Sequence, residues 1–263
     1  MARSPDGESV ITRAVRILDA FGPESTVLSL SEVSRRACLP IATTARLVKE
    51  MARHGLLDRD EHRQVLIGTR MWELAERASP VKDLREAALQ YMGDLHSVVG
   101  HSTQLGVLEG DDVLFVERLT APGSVVNVTQ IAGRLPLNAS SAGLVLLAHA
   151  PDSLRERVLR GPLTSYTEHT LSSEQPLRTE LAEIRRRGFA FCPGHIHPDA
   201  TGIAVPVRRN DRVVAAMGLV VPDDDNAWTF SRPLMLAGLA LSRVLAGTGR
   251  GRTDSVLRPA ARS

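Results

Sequence analysis

Two histidines and an aspartate stand at alternate positions late in the chain, as His195, His197 and Asp199. Alternate residues of an extended strand share one face, and imidazole and carboxylate groups are common zinc ligands. The spacing therefore admits a metal site and, with it, a metal-dependent hydrolase. Pro198 and the polar surroundings favour a surface loop without a further fixed ligand, so we expect no metal or other cofactor. These histidines could instead pair with an acidic ligand.

A run of small residues, from Ser140 to Gly143, precedes an apolar segment that is predicted to be a helix. The first N–H groups of a helix have no partner within it and carry the positive end of its dipole. Such groups form a binding site for an anion such as a carboxylate. The serines would serve equally as a plain helix cap, so both interpretations stay open.

Arg46 is a candidate for contact with the edges of nucleic-acid bases. It falls within a predicted helix that begins at Ile41 and ends near His54. The side chains predicted to face inward from this helix are Thr44, Leu47, Val48 and Met51. A guanidinium on the outer face can bond O6 and N7 of guanine together. Arg46 could alternatively contact a phosphate or pair with Glu50, one turn later.

Three neighbours of Arg46 could support the same contact. Ala42 and Thr43 occupy the exposed first turn of the helix, from which base edges are approached. Small side chains there can touch a thymine methyl, or simply permit a close approach. Lys49 stands one turn after Arg46, where flanking residues hold phosphates.

The preceding elements would position this helix. A first amphipathic helix runs from Ser9 to Phe21 and stops at Gly22-Pro23. A second begins after Ser29, and Glu32 three residues later completes a capping box. It breaks at Leu39-Pro40, directly before the third helix. Two helices joined by a tight turn, the second one longer, are the outline of a helix-turn-helix.

A β-hairpin is predicted after the third helix. Gly55 ends that helix, and Leu56–Ile67 has the pattern of strand, polar turn and strand, closed by Gly68. Three helices and a hairpin make a winged helix. The hairpin residues placed to meet the DNA backbone or minor groove are Arg59, His62, Arg63 and Gln64. The alternative is that these four residues form a solvated hairpin tip. Ser29, before the second helix, could donate to a phosphate or serve only as a cap.

The rest of the chain predicts a second domain. A helical pattern from Thr69 to about Val99 is interrupted at Ser79-Pro80, which places the domain boundary near residues 78–83. The predicted strands are His101–Glu109, Val113–Leu119, Val125–Gln130, Phe189–Cys192, Gly202–Arg208 and Val213–Val221. The predicted helices are Ser141–His149, Asp152–Leu159, Ser173–Arg187 and Phe230–Leu245.

These elements predict an α+β fold with an antiparallel sheet covered by helices. Residues 1–78 would form a winged helix-turn-helix domain with the start of a linker helix, and residues 79–247 the second domain. Residues 248–263, which hold several arginines among Gly, Ser and Pro, would form a disordered, mildly basic tail.

Composition bounds the function only loosely. Residues 1–70 carry eleven Lys/Arg against nine Asp/Glu, so DNA binding must be argued from positions rather than from charge. No apolar run approaches the roughly 18 residues that span a bilayer, and residues 1–8 lack the apolar stretch of a signal peptide. Cys38 and Cys192 form no metal-spaced or redox pair. We therefore expect a cytoplasmic protein without a membrane partner.

Seven fragments, in order, resemble the IclR family of bacterial regulators over about residues 9–246. They are Arg13–Leu18, Leu30–Val33, Leu39–Leu47, Gly68 with Trp72–Ala75, Gly133–Gly143, Leu181–Gly188 and Ile203–Val207. The resemblance implies a GAF-like effector-binding domain, a homodimer or homotetramer, and DNA binding controlled by a ligand. It also places effector contacts at Asn127, Leu135, Ser141, Ala142, Cys192, Gly202, Gly218 and Val220.

The chain departs from that family at several of these positions. Many members carry an acidic residue near the position of His195, a cysteine at that of Gly202, and serines at those of Gly218 and Val220. Those polar groups would orient a small hydrophilic acid. Their loss indicates a larger or more apolar ligand, or a site that no longer binds one. His195 is retained as an effector contact because an imidazole at the mouth of a pocket can pair with an acidic ligand.

The sequence thus predicts a ligand-responsive transcriptional repressor. It would bind double-stranded DNA, at a near-palindromic operator, as a dimer, and a small-molecule effector in its C-terminal domain. The sequence shows no Gly-x-Ser-x-Gly elbow, Walker loop, His-Glu-x-x-His motif or dinucleotide fingerprint, so an enzyme is not expected. The alternatives are the metal hydrolase of His195, His197 and Asp199, and a winged helix that serves as a protein-interaction module without DNA.

Overall fold

Aromatic residues make up 3% of the chain, so its interior has to be filled by aliphatic side chains. The computed structural model describes residues 8–22, 24–78, 80–123, 125 and 127–247. Over these ranges the predicted α+β fold is confirmed, and the chain divides into two units, Met1–Ser79 and Pro80–Ser263. The predicted tail, 248–263, lies outside the described residues. No helix in the described ranges is long and apolar enough to cross a membrane.

The first unit contains the predicted three helices and hairpin. Its elements are α1 (Val10–Leu18), β1 (Val27–Leu28), α2 (Leu30–Arg36), α3 (Ile41–Arg53), β2 (Leu57–Arg59), β3 (Val65–Ile67) and α4 (Thr69–Ala78). The strands pair antiparallel in the order β1-β3-β2, and β1 was not predicted. Helix α1 ends three residues before the predicted Phe21, because the N–H groups of Ala20 and Phe21 turn back to the carbonyls three residues earlier.

Local interactions fix the ends of these helices as the sequence predicts. The hydroxyl of Ser29 accepts from the N–H of Glu32, and the Glu32 carboxylate accepts from the N–H and hydroxyl of Ser29. Gly55 ends α3 at a φ of +71°, a conformation that favours glycine. At Gly68 a Cβ would lie 2.1 Å from the Gly55 carbonyl oxygen, so the base of the hairpin has no room for a side chain.

The second unit is one six-stranded antiparallel sheet with helices on both faces. Its elements are α5 (Pro80–Val99), β4 (Ser102–Glu109), β5 (Asp112–Leu119), β6 (Arg134–Pro136), α6 (Ser141–Ala148), α7 (Asp152–Arg160), α8 (Glu174–Arg187), β7 (Ala190–Pro193), β8 (Ala200–Arg209), β9 (Arg212–Pro222) and α9 (Ser231–Gly247). The strand order is β6-β5-β4-β9-β8-β7. Asn210 and Asp211 form the turn between β8 and β9, with φ of 48° and 64°.

One predicted strand, Val125–Gln130, is wrong. The described residues in this range belong to no strand, and the edge strand is β6, beginning at Arg134. The side chain of Asn127 accepts hydrogen bonds from both the N–H and the hydroxyl of Thr129. Such a local turn competes with pairing to a neighbouring strand, although the β-branched residues of this segment favour a strand.

Helices α5 and α9 pack on one face of the sheet, and α6 and α8 on the other. All eight residues of α6 are buried, which explains why this helix is apolar on every side. Strand β4 lies in the middle of the sheet, between β5 and β9. Side chains on its two faces therefore lie in two separate cores.

A β-bulge interrupts the pairing of β4 and β5. Leu105 is opposite Glu117 and Gly106 is opposite Phe115, so Val116 is an extra residue on β5. Val116 packs in the core of the α5 face, and Glu117, the partner of Leu105, lies on that face as well. Arg118 is opposite Gln104 and points to the face that carries α6.

Candidate functional site

The exposed face of α3 carries the predicted DNA contacts. Ala42, Arg46 and Lys49 are exposed and Thr43 is half-buried, whereas Thr44, Leu47, Val48 and Met51 are buried as predicted. Within the part of the chain that the structure describes, the Arg46 guanidinium has no hydrogen bond or ion pair. Its charge is therefore available to a ligand.

The alternative partner of Arg46, Glu50, is engaged elsewhere. Its carboxylate contacts the guanidinium of Arg53 at 2.5 Å and the imidazole of His54 at 3.2 Å. The hydrogen bond from Arg53 is the main reason why the pKa of Glu50 lies below its usual range. The i,i+4 pair between Arg46 and Glu50 is thus not the one that forms.

Ser29 is occupied as a helix cap. Its hydroxyl hydrogen points to the Glu32 carboxylate at 2.8 Å, and hydrogen bonds from Ser29 lower the pKa of Glu32. A phosphate at this position would have to compete with that carboxylate.

The tip of the hairpin β2–β3 is held by Asp60. Its carboxylate accepts from the N–H groups of His62 and Gln64, at 2.9 and 2.8 Å. The side chains of His62 and Arg63 are exposed, and those of Arg59 and Gln64 are half-buried. His62, Arg63 and Gln64 thus lie on this turn, with the Arg63 backbone at a φ of +61°, and Arg59 is the last residue of β2.

A cavity in the second unit gathers most of the predicted effector contacts. It lies at the N-terminus of α6, against β7, β8 and β9, and has a volume of about 40 Å³. Seven of the nine predicted residues line it: Asn127, Leu135, Ser141, Cys192, His195, Gly202 and Val220. Gly202 stands opposite Cys192 on one side and Val220 on the other, so these three form one row across the sheet.

Ala142 and Gly218 are not among the described residues that line this cavity. Ala142 is fully buried, with its methyl group directed towards Gly106 in β4. Gly218 lies in the neighbouring row, opposite Gln104, and a Cβ there would lie 3.4 Å from Cγ of Gln104. That is an ordinary van der Waals distance, and the side chain of Gln104 does line the cavity.

Gly202 brings the sheet close to the start of α6. A Cβ on Gly202 would lie 2.9 Å from the hydroxyl oxygen of Ser141. Ser140 is the N-cap residue, and its hydroxyl accepts from the N–H of Gly143 at 3.1 Å. The helix cap is thus made by Ser140, which leaves the Ser141 hydroxyl for another partner.

Two polar residues of the cavity wall, Gln104 and Thr129, were not predicted. The Thr129 hydroxyl lies 2.6 Å from the amide oxygens of both Gln104 and Asn127, although it has one hydrogen to donate. The Asn127 side-chain nitrogen is buried and has no partner in the described residues. A polar glutamine in the apolar strand Ser102–Glu109 is the signal that could have identified this wall.

Two buried titratable side chains of the cavity wall, those of His195 and Cys192, are uncharged near neutral pH. Burial lowers the pKa of His195 to about 4, and its Nδ1 atom is buried without a partner among the described residues. Burial likewise raises the pKa of the Cys192 thiol well above its usual range. His195 therefore offers a ligand a neutral imidazole, rather than the positive charge that pairing with an acid would use.

His195, His197 and Asp199 do not converge. His195 is buried, while the side chain of Asp199 is 87% exposed and lies 3.9 Å from that of His197. Across the described ranges, no group of three His, Cys, Asp or Glu side chains is arranged to hold a metal ion.

Comparisons with known proteins cover both units. Residues 10–61 match the IclR helix-turn-helix domain, and residues 77–225 match the family described as bacterial transcriptional regulator IclR C-terminal. The HTH-type transcriptional regulator XynR of Escherichia coli is 30% identical over 89% of this chain and 96% of its own length. The transcriptional repressor IclR of the same organism is 26% identical over 69% of this chain and 68% of its own length.

A solved structure is also similar. It is an IclR homologue from Microbacterium hydrocarbonoxydans, complexed with 4-hydroxybenzoate. It is 40% identical to this chain, superimposes with a TM-score of 0.88, and the match covers 91% of this chain and 100% of the other. The curated relatives are transcriptional regulators rather than enzymes, and the metal-hydrolase alternative is set aside.

Proposed function

Because the chain belongs to the IclR family of transcriptional regulators, with its helix-turn-helix and effector-binding domains, we propose that it is a repressor released by a small monocarboxylic acid. It binds a near-palindromic operator as a dimer, or as a pair of dimers. The single observation that carries the choice of effector is the cavity at the N-terminus of α6, whose described lining contains no Lys, Arg, Asp or Glu.

The cavity suits an effector with one negative charge. The first N–H groups of α6 that the Ser140 cap does not take, and the Ser141 hydroxyl, offer donors to a carboxylate, and the helix dipole favours an anion there. The described wall holds no Lys or Arg to pair with a second negative charge, and of its two imidazoles, those of His195 and His197, the buried one of His195 is neutral. Leu135, Cys192 and Val220 supply apolar surface for the body of the ligand.

The size of the cavity favours a small ligand. A volume of about 40 Å³ holds roughly three water molecules at about 10–15 Å³ each. A benzoate-sized molecule therefore has to widen the cavity as it enters. The similar homologue was solved with 4-hydroxybenzoate, so we take this aromatic monocarboxylate as the first probe.

Operator recognition is assigned to α3 and the hairpin. Arg46 contacts a guanine, Ala42 and Thr43 contact neighbouring bases, and Lys49 contacts a phosphate. Arg59, His62, Arg63 and Gln64 meet the adjacent backbone or minor groove. The exposure of Arg46, without a partner in the described chain, supports this assignment.

We propose repression rather than activation for two reasons. The simplest coupling is one in which the effector releases the protein from its operator, and one similar relative is named a transcriptional repressor. We place the protein in the cytoplasm, where the free thiols of Cys38 and Cys192 stay reduced.

The effector assignment is tested by thermal unfolding with 4-hydroxybenzoate, benzoate and the dianion phthalate. Binding at about 100 times Kd stabilises a folded protein by about 2.7 kcal/mol, so both monoanions raise the midpoint, and phthalate does not. The Ser141→Ala variant shows a smaller rise. Equal stabilisation by phthalate, or no response to either monoanion, contradicts the proposal.

The DNA assignment is tested by selecting binding sites from random duplexes with the full-length protein. We expect an inverted repeat, and Arg46→Ala abolishes the preference for one base pair in each half-site. Arg53→Ala is the matched control, because Arg53 is held by Glu50 on the same helix. Failure to select any sequence would favour the alternative of an interaction module without DNA.

A further inference from the structure

A chain of polar contacts crosses the sheet of the second unit, from the cavity wall to α5. It consists of Thr129, Arg118, Glu117 and Arg85, and we call it the cross-sheet relay. Thr129 lines the cavity, whereas Arg85 belongs to α5 on the opposite face. Helix α5 follows the winged-helix unit directly in the chain.

The first contact joins the cavity wall to β5. The Arg118 guanidinium donates to the carbonyl oxygen of Thr129 and, at 2.8 Å, to the hydroxyl of Thr120. Arg118 stands opposite Gln104 in the sheet. The amide oxygen of Gln104 accepts a hydrogen bond from the hydroxyl of Thr129. The position of Arg118 thus depends on the same residues that form the polar wall.

The next contacts pass through the sheet. The Glu117 carboxylate accepts from the N–H of Arg118 at 2.9 Å through one oxygen. Its other oxygen accepts from Nε of Arg85 at 2.6 Å. The Glu117 side chain is 5% exposed and that of Arg85 is 47% exposed, so the carboxylate is shielded from water and salt while the guanidinium still meets the solvent.

The wall itself is not fully satisfied. One hydrogen of the Thr129 hydroxyl faces two amide oxygens, and the nitrogen of Asn127 is buried without a partner in the described chain. Leaving a buried polar group without a partner is costly. A ligand that gives these groups a partner changes which amide Thr129 bonds, and hence where its carbonyl lies.

We propose that Arg118, Glu117 and Arg85 are positioning residues that transmit effector occupancy from the Thr129 wall to α5. The inference rests on the proposed function of the cavity. The residues contact neither ligand nor DNA in this scheme, so they set the coupling between the two sites and not the affinity of either.

The test uses full-length protein, a selected operator duplex and 4-hydroxybenzoate as the probe. In the wild type, the probe weakens operator binding by a factor within the roughly 5–150-fold range of allosteric coupling. Removing both charges with Arg85→Gln and Glu117→Gln reduces that factor to below about twofold, while Kd of the probe for free protein stays within about threefold. Linkage requires that Kd of the probe, measured with and without operator, then differs by the same factor of less than about twofold.

A matched control removes another ion pair from the same helix, through Lys82→Gln and Glu86→Gln, and retains the wild-type factor. The single variant Arg85→Lys, which keeps the positive charge, retains part of the coupling, which a purely structural role would not require. If the double variant does not fold, Arg118→Gln releases Thr129 with the ion pair intact and must show the same loss.

Undiminished coupling in the double variant or in Arg118→Gln overturns the relay and leaves the proposed function standing. A wild-type protein that binds no 4-hydroxybenzoate or benzoate overturns the proposed effector, and the relay falls with it.

Discussion

The hydroxyl oxygen of Ser141 lies 2.9 Å from the point that a Cβ atom on Gly202 would occupy. The methyl group of an alanine at this position therefore displaces the Ser141 hydroxyl and takes space from the cavity. We expect Gly202→Ala to weaken 4-hydroxybenzoate binding about tenfold, equivalent to about 1.4 kcal/mol, in a calorimetric titration.

The control for Gly202→Ala is Gly93→Ala in α5, where an added Cβ meets nothing within 4 Å. This variant keeps the wild-type affinity and gains about 0.5–1 kcal/mol of stability, because alanine favours a helix over glycine. Equal affinities in the wild type and Gly202→Ala would show that the ligand does not depend on Ser141.

The stability of the protein depends on pH through His195. Its pKa is about 4 in the folded state, against about 6.5 for an unperturbed histidine, so the unfolded chain takes up the proton first as the pH falls. The contribution of His195 to the free energy of unfolding is complete above pH 6.5 and is lost as the pH falls from 6.5 to 4. Linkage gives a loss of about 2 kcal/mol between pH 7.5 and 5.

Urea unfolding at the two pH values, without effector, measures this loss. The pKa of His149 is also lowered by burial, so the wild type contains a second contribution in the same range. The difference between wild type and His195→Gln isolates His195. An identical pH dependence in both proteins would mean that His195 is not buried in its neutral form.

The capping box at Ser29 has a local effect. Ser29→Ala removes the hydroxyl that accepts from the N–H of Glu32, which costs about 1 kcal/mol at a helix N-terminus. We expect about fivefold faster hydrogen exchange for amides of α2, since 1 kcal/mol corresponds to that factor. The affinity for the selected operator stays unchanged. Weaker binding to all sequences alike would instead place Ser29 at a phosphate.

Phosphate contacts are separable from base contacts by their salt dependence. Each of Lys49→Ala and Arg59→Ala removes one phosphate contact in each half-site, so it lowers the magnitude of the slope of log K against log salt by about 1.8 for a dimer and weakens binding to all sequences alike. Glu61→Gln at the exposed hairpin tip serves as a control, because removing a negative charge does not reduce the slope. A loss of sequence preference in Lys49→Ala would assign it a base contact.

The first unit could be predicted almost residue by residue because its signals are local. The capping box at Ser29, the break at Leu39-Pro40 and the apolar face of α3 each depend on residues within one or two turns. Two-residue strand β1 could not be predicted, because its only support is pairing with β3, far along the chain.

The cavity was predicted less completely because it depends on non-local pairing. Cys192, Gly202 and Val220 come together only through the register of three strands. Gln104 joins them through the pairing of β4 with β9, which sets it opposite Gly218. The strand predicted at Val125–Gln130 failed for a local reason, since the turn held by the Asn127 side chain outweighed the β-branched composition.

The bulge at Val116 gives β5 one residue more than its pairing with β4 requires. Removing that residue would straighten the strand while Phe115, Glu117 and Arg118 kept their partners and their faces. A deletion beyond the bulge, at Arg118, would instead turn the following residues over. The length of β5 can therefore change at Val116 over evolutionary time. The residues that face the ligand and those that face α5 stay on their own sides of the sheet when it does.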